Sequence, residues 1–164
     1  VHPEQFSEDE IHETRWKHIT EVIDHHDMYD AIEESECDPT GQMLTGTWVE
    51  AIRDEVLKSR WCARDFNKNG KRTDLFAPGS QKDTGRLIDF KAVKRDYVTF
   101  TVDISAAYNT LPEQELVYCR PPKEWLSHRA ELGLSTTVVW RMKKLLPGRR
   151  VAATQWVELS LIHI

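Results

Sequence analysis

The chain has 164 residues, 40% apolar and 30% charged, with six tryptophans. This suits one domain or a piece of a larger one and excludes a disordered tail, whose aromatic content is too low to build a core. The net charge of −5 hides a division: residues 1–56 carry 16 acids against 3 bases and residues 57–164 carry 11 against 19, so the second part can meet a polyanion if its cations converge on one groove.

Cys37, Cys62 and Cys119 are odd in number and far apart. Without a CxxC pair they point to neither a disulfide framework nor a zinc ribbon, and read as reduced thiols of an intracellular protein. No apolar run reaches membrane-spanning length. The first residues, VHPEQFSEDE, lack the basic and apolar regions of a signal peptide and begin without Met, so Val1 is not taken as a natural start.

In chain order, Glu8 to His26 is predicted helical, because Trp16, Ile19 and Ile23 recur at helical spacing and Ser7 with Glu10 fits a capping box. An acidic stretch with turn chemistry at Asp38-Pro39 and Gly41 follows. Met43 to Val49 and Leu57 to Phe66 are predicted strands of a β-hairpin with a long connection, with a further turn at Asn67–Gly70. Asp83 to Lys94 is a helix with an imperfect apolar face of Leu87, Phe90, Ala92 and Val93. Tyr97 to Ile104 is the clearest strand. Glu115 to Cys119 and Thr136 to Met142 are further strands, and Ala152 to Leu159 a last helix. The mixture predicts an α+β fold, with antiparallel strands and helices packed on one face.

In YVTFTVDISAAYN, alternation puts Val98, Phe100, Val102 and Ile104 on a core face, and Tyr97, Thr99, Thr101 and Asp103 on the other. Ser105 can cap a helix that starts directly after. A carboxylate in the position of Asp103 can ligate a hard divalent cation or serve as a turn residue; the segment alone leaves both open. Lys58, Arg60 and Arg64 fall at even spacing, so on a strand they share one face. Trp48, Trp140 and Trp156 are assigned to packing.

VDISAAY resembles the first catalytic motif of reverse transcriptases, and its flanks resemble the copia-like retrotransposon polymerases in the right order. TGTWV is similar to their Asn-Thr-Trp strand. KSRWCARDFN is similar to their fingers strand, Lys-Ala-Arg-Leu-Val-Ala-Arg-Gly-Phe. DLFAP with DTGRLI is similar to Phe-Ala-Pro and an Asp-Thr-x-Arg helix, and ELVYCRPP to Glu-Val-Tyr-x-x-x-Pro-Pro. VWRMKKLLPG with Trp156 is similar to Lys-x-Leu-Tyr-Gly-Leu and a later Trp. The series runs from Thr45 to Trp156; residues 1–40 match loosely.

The resemblance implies a partial fingers-palm of a right-hand polymerase. It divides the chain into an acidic lead-in (1–40), fingers and the start of the palm (41–158), and a tail (159–164). The tail, LSLIHI, can be encoded by CTG TCT CTT ATA CAC ATC, which resembles a transposase end used in sequencing adapters, so it is expected to be foreign. The implied reaction is two-metal nucleotidyl transfer, with Mg²⁺, or Mn²⁺ in its place, held at Asp103 and Ile104. Implied partners are an RNA or DNA template with primer, deoxynucleoside triphosphates, and the rest of the palm, thumb and RNase H of the same polyprotein, with no membrane.

By the same resemblance Asp103 is the catalytic carboxylate. Lys58, Arg60 and Arg64 grip the triphosphate, for which a planar guanidinium is suited, and Tyr108 excludes a ribose 2′-hydroxyl. Lys143, Lys144, Arg149 and Arg150 are candidates for template or primer backbone contacts. The family's Tyr-Gly-Leu-Lys-Gln-Ala-Pro is altered here to Pro147-Gly148-Arg149-Arg150-Val151-Ala152-Ala153, and Val151 cannot make the hydrogen bonds of a glutamine. The second motif, an aromatic-x-Asp-Asp turn, does not occur, so the polypeptide alone is expected not to polymerise. The alternative reading is a non-catalytic nucleic-acid-binding remnant of a decayed or co-opted element.

Overall fold

The computed structural model describes residues 6–66, 82–99 and 107–162. Ser7 starts helix α1 (Glu8–His18) with the expected reciprocal capping box. The Ser7 N–H donates to the Glu10 carboxylate at 2.8 Å, and the Glu10 N–H donates to Ser7 Oγ at 3.3 Å. Acids in the first turn and Arg15, Lys17 and His18 in the last complement the helix dipole. The helix is not regular to His26, as the spacing suggests. From Ile19 to Asp24 it widens into a π-helical turn that buries Ile19 and Ile23 completely.

Asp27, at φ 51°, then turns the chain into strand β1 (Tyr29–Glu33). β1 pairs antiparallel with β6 (Val138–Met142), Tyr29 opposite Met142 and Glu33 opposite Val138. β6 pairs antiparallel with β5 (Val117–Cys119), and β5 pairs parallel with β2 (Gln42–Leu44). The sheet order is therefore β1-β6-β5-β2. The acidic lead-in thus supplies a strand to this sheet and Ile19, Ile23 and Met28 to its core.

A separate antiparallel hairpin joins β3 (Gly46–Arg53) to β4 (Val56–Ala63). Its connection is short, not long. Asp54 and Glu55 both take positive φ, 53° and 63°, the conformation of the two-residue turn that matches strand twist. Helix α2 spans Lys82–Arg95 and the short α3 Ala107–Thr110; α4 is Lys123–Glu131 and α5 Ala152–Ile162. The fold is α+β, with mixed sheet pairing and packed helices.

The strand expected from Tyr97 does not begin there. Asp96 takes φ 55°, and the Tyr97 N–H caps α2 by donating to the Ala92 carbonyl at 2.9 Å. Residues 97–99 are irregular and Val98, expected in the core, is 90% exposed. Most of the α2 apolar face is exposed too: Leu87, Phe90 and Val93 face outward, while Ala92 is buried. The turn at Asn67–Gly70, DLFAP and Phe100 to Ser105 lie outside the described residues.

The main core joins the four-stranded sheet to the hairpin and helices. Trp140 is fully buried, stacked on Tyr29 at 4.4 Å and edge-on to Trp125 at 5.4 Å. Trp48 packs against this core and Trp156 against a second cluster of Leu111, Leu145, Val151 and Ala152. The three cysteines are unpaired; burial pushes the Cys119 thiol up to about 12, so it is a packing group. Trp140→Ala is expected to lower stability by about 3–5 kcal/mol in urea unfolding; a loss below about 1 kcal/mol would contradict its central place.

Candidate functional site

β4 alternates buried and exposed residues: Leu57, Ser59 and Trp61 point inward, Lys58 and Arg60 outward. Arg64 follows on the same side, exposed, with one N–H to Thr47 Oγ1 at 3.1 Å. The even spacing therefore does bring the three cations to one face. Lys58 and Arg60 also line a cleft of about 550 Å³ between α1, its π-helical extension and β4. The opposite wall carries Glu10, Glu13 and Glu21, so the cleft is mixed in charge. His18 stands there with its ring edge on Trp48 at 5.9 Å. Burial, with the Arg60 charge beside it, pulls His18 down to about 4, so it is neutral at pH 7.

The α1 wall is held by Arg15. Its guanidinium donates to Glu50 of β3 at 2.6 and 2.8 Å and to Glu124 of α4 at 2.8 Å, while lying 5.5 Å from the centre of the Trp48 ring. Trp48 Nε1 donates to the other Glu124 oxygen at 3.1 Å. Burial pushes the Glu124 carboxyl up, but its own backbone N–H, Arg15 and Trp48 outweigh this and hold it below the ordinary range.

Tyr108 lies on α3, the short helix expected after Ser105, with its side chain exposed. Asp103 and Ile104, the expected metal position, lie outside the described residues. Among the described residues no group of three or more His, Cys, Asp or Glu is arranged to hold a metal ion.

The cations at 143–150, candidates for template or primer backbone contacts, each have partners within the chain. Lys143 Nζ pairs with Asp27 at 2.5 Å and Asp30 at 3.2 Å, and Lys144 Nζ donates to the His26 carbonyl. Arg149 is buried, its side chain 1% exposed. Nε donates to Glu113 at 2.8 Å; Nη1 to Asp65 at 2.7 Å and Gln42 at 3.3 Å; Nη2 to Glu113 at 3.1 Å and Glu115 at 2.8 Å. These bonds use every N–H of a guanidinium, so Arg149 offers no donor to a phosphate. Arg150 gives its backbone N–H and Nε to Asp65 at 3.1 and 3.2 Å.

Gly148 makes this docking possible. It takes φ 91°, and a Cβ there would lie 2.3 Å from the Ala63 carbonyl. The Ala63 N–H donates to the Pro147 carbonyl at 2.7 Å, so loop and strand end touch backbone to backbone. Part of the charge asymmetry is likewise internal: Asp27 and Asp30 meet Lys143, and Glu34 takes a two-pronged contact from Arg120 at 2.5 and 3.2 Å.

Asp65, Glu113 and Glu115 were not singled out by sequence reasoning. A signal existed for Asp65: an acid stands where the resembled fingers strand has glycine. No protein-family model, curated protein or solved structure matches the chain. Among the described residues no helix is long and apolar enough to cross a membrane.

Burial pushes the Asp65 carboxyl up, but the Arg150 N–H and the Arg149 and Arg150 charges outweigh it and hold it low. A native pKa below the unfolded value gives stability that is present above about pH 4 and lost as pH falls through the depressed value. Asp65→Asn is expected to cost about 3–5 kcal/mol at pH 7, as for one partner of a buried ion pair. The variant's stability should also fall less steeply than the wild type's on acidification below pH 4, read by denaturant unfolding across pH. Parallel pH profiles would contradict the pairing.

Proposed function

We propose that the chain is the fingers and first part of the palm of an RNA-directed DNA polymerase of the copia-like retrotransposon type. The observation that carries this reading is the order of the segments around VDISAAY, from TGTWV at residue 45 to Trp156. The exposed residues are compatible with it: Lys58, Arg60 and Arg64 share the outer face of β4, and Tyr108 is exposed on a helix that closely follows Asp103 in sequence.

In this reading the primer 3′-hydroxyl attacks the α-phosphate of an incoming deoxynucleotide. Mg²⁺ ions, when bound, stabilise the attacking and leaving oxygens. Asp103 is the first metal carboxylate, and Ile104 lies at the same metal position. Arg60, Lys58 and Arg64 hold the triphosphate, and Tyr108 blocks a ribose 2′-hydroxyl. The two-metal reaction needs further carboxylates, and these residues hold no Asp-Asp pair. Template contacts are not assigned to Arg149, whose donors are used internally.

The test is primer extension on an RNA template with Mg²⁺ by the full-length polymerase. Asp103→Asn should reduce extension by more than about 100-fold, since it removes a metal ligand. Tyr108→Ala should keep deoxynucleotide incorporation and begin to admit ribonucleotides. Unimpaired extension by Asp103→Asn would sink the catalytic assignment.

A further inference from the structure

We propose that Arg149 is a positioning residue, whose buried guanidinium fixes strand β4 relative to the Tyr108 helix through a charged clasp with Asp65 and Glu113. The clasp joins two departures from the copia-like pattern. Asp65 stands where the fingers strand of that pattern has glycine, and Arg149 where the later stretch has leucine. Losing either one breaks the most buried contact of the network, leaving Arg149 to Glu113 and Glu115 or Asp65 to Arg150. Together they meet at 2.7 Å with both side chains 1% exposed.

The other arm reaches α3. Glu113, fully buried, takes two parallel N–H bonds from Arg149, at 2.8 and 3.1 Å. Glu113 lies three residues beyond the end of α3, and the segment between is pinned by Leu111 N–H to the Tyr108 carbonyl (3.1 Å) and Glu113 N–H to the Lys143 carbonyl (2.8 Å). One rigid planar group therefore ties the end of the basic strand to the tail of the tyrosine helix. Lysine could not replace it, because an ammonium has three donors and no fork. The consequence for nucleotide binding, that Lys58, Arg60 and Arg64 keep their distance from Tyr108, rests on the polymerase reading; the clasp itself does not.

The test is a mutant cycle on the 164-residue chain, read by amide hydrogen exchange, which needs no nucleotide. Arg149→Leu and Asp65→Gly should each speed exchange about tenfold in residues 57–66 and 107–115, with α1 and α4 unchanged. The double variant should exchange no faster than Arg149→Leu alone, because Asp65 acts on both segments through the same guanidinium, and the buried Glu113 loses its donor in either case. Should Arg149→Leu fail to fold, Arg149→Lys alone and with Asp65→Gly gives the same comparison. Arg149→Lys should rescue only partly. A double variant about a hundredfold fast, the product of the two singles, or an Arg149→Leu effect confined to one segment, would overturn the clasp. In the full-length polymerase the single variants should raise KM for deoxynucleotide about tenfold with kcat little changed, and the double variant should match Arg149→Leu. An unchanged KM in the singles would overturn the positioning role, whereas active Asp103→Asn would overturn the polymerase reading instead.

Discussion

A single buried guanidinium sets the terms for this end of the molecule. A desolvated cation is tolerated only where carboxylates and hydrogen bonds replace its water. Arg149 meets that demand with Asp65, Glu113, Glu115 and Gln42. Those partners come from the β2 start, the β4 end and the segment before β5. Satisfying the charge therefore fixes where these pieces stop, and Gly148 lets the backbone come close enough for it. Arg15 does the same at the other end, drawing α1, β3 and α4 around Glu50 and Glu124.

These two networks change the meaning of the charge pattern. A basic second part next to an acidic first part invites a polyanion. Part of that contrast is met within the chain, by Lys143 on Asp27 and Asp30 and Arg120 on Glu34. The cations that keep an outward aspect on one strand are Lys58 and Arg60, with Arg64 beside them. Even these face carboxylates across the α1 cleft.

Local chemistry was legible in the sequence, and distant pairing was not. The capping box of Ser7 and Glu10 and the parity of Lys58, Arg60 and Arg64 each depend on neighbours a few residues away. The hairpin strands were legible, but not their turn, because Asp54-Glu55 lacks the Asn-Gly signature of its conformation. β1 was hidden because YDAIE does not alternate; it is a strand because β6, buried along most of its length, needs a partner. The nine-residue α4 carries too few apolar residues for a periodic signal and rests on Trp125 and the Glu124 pair. At the candidate site, the burial of Arg149 was not legible because its acids lie 34 to 84 residues away, a separation no local pattern reports.

The most direct test of the functional reading is an amide and side-chain NMR titration of the chain with Mg²⁺–dATP. On the polymerase reading, shifts concentrate on Lys58, Arg60, Arg64 and Tyr108, and are lost in Lys58→Ala/Arg60→Ala, while Arg149 and its carboxylates stay unmoved. Shifts confined to the α1 wall of the cleft, or none at saturating nucleotide, would contradict it.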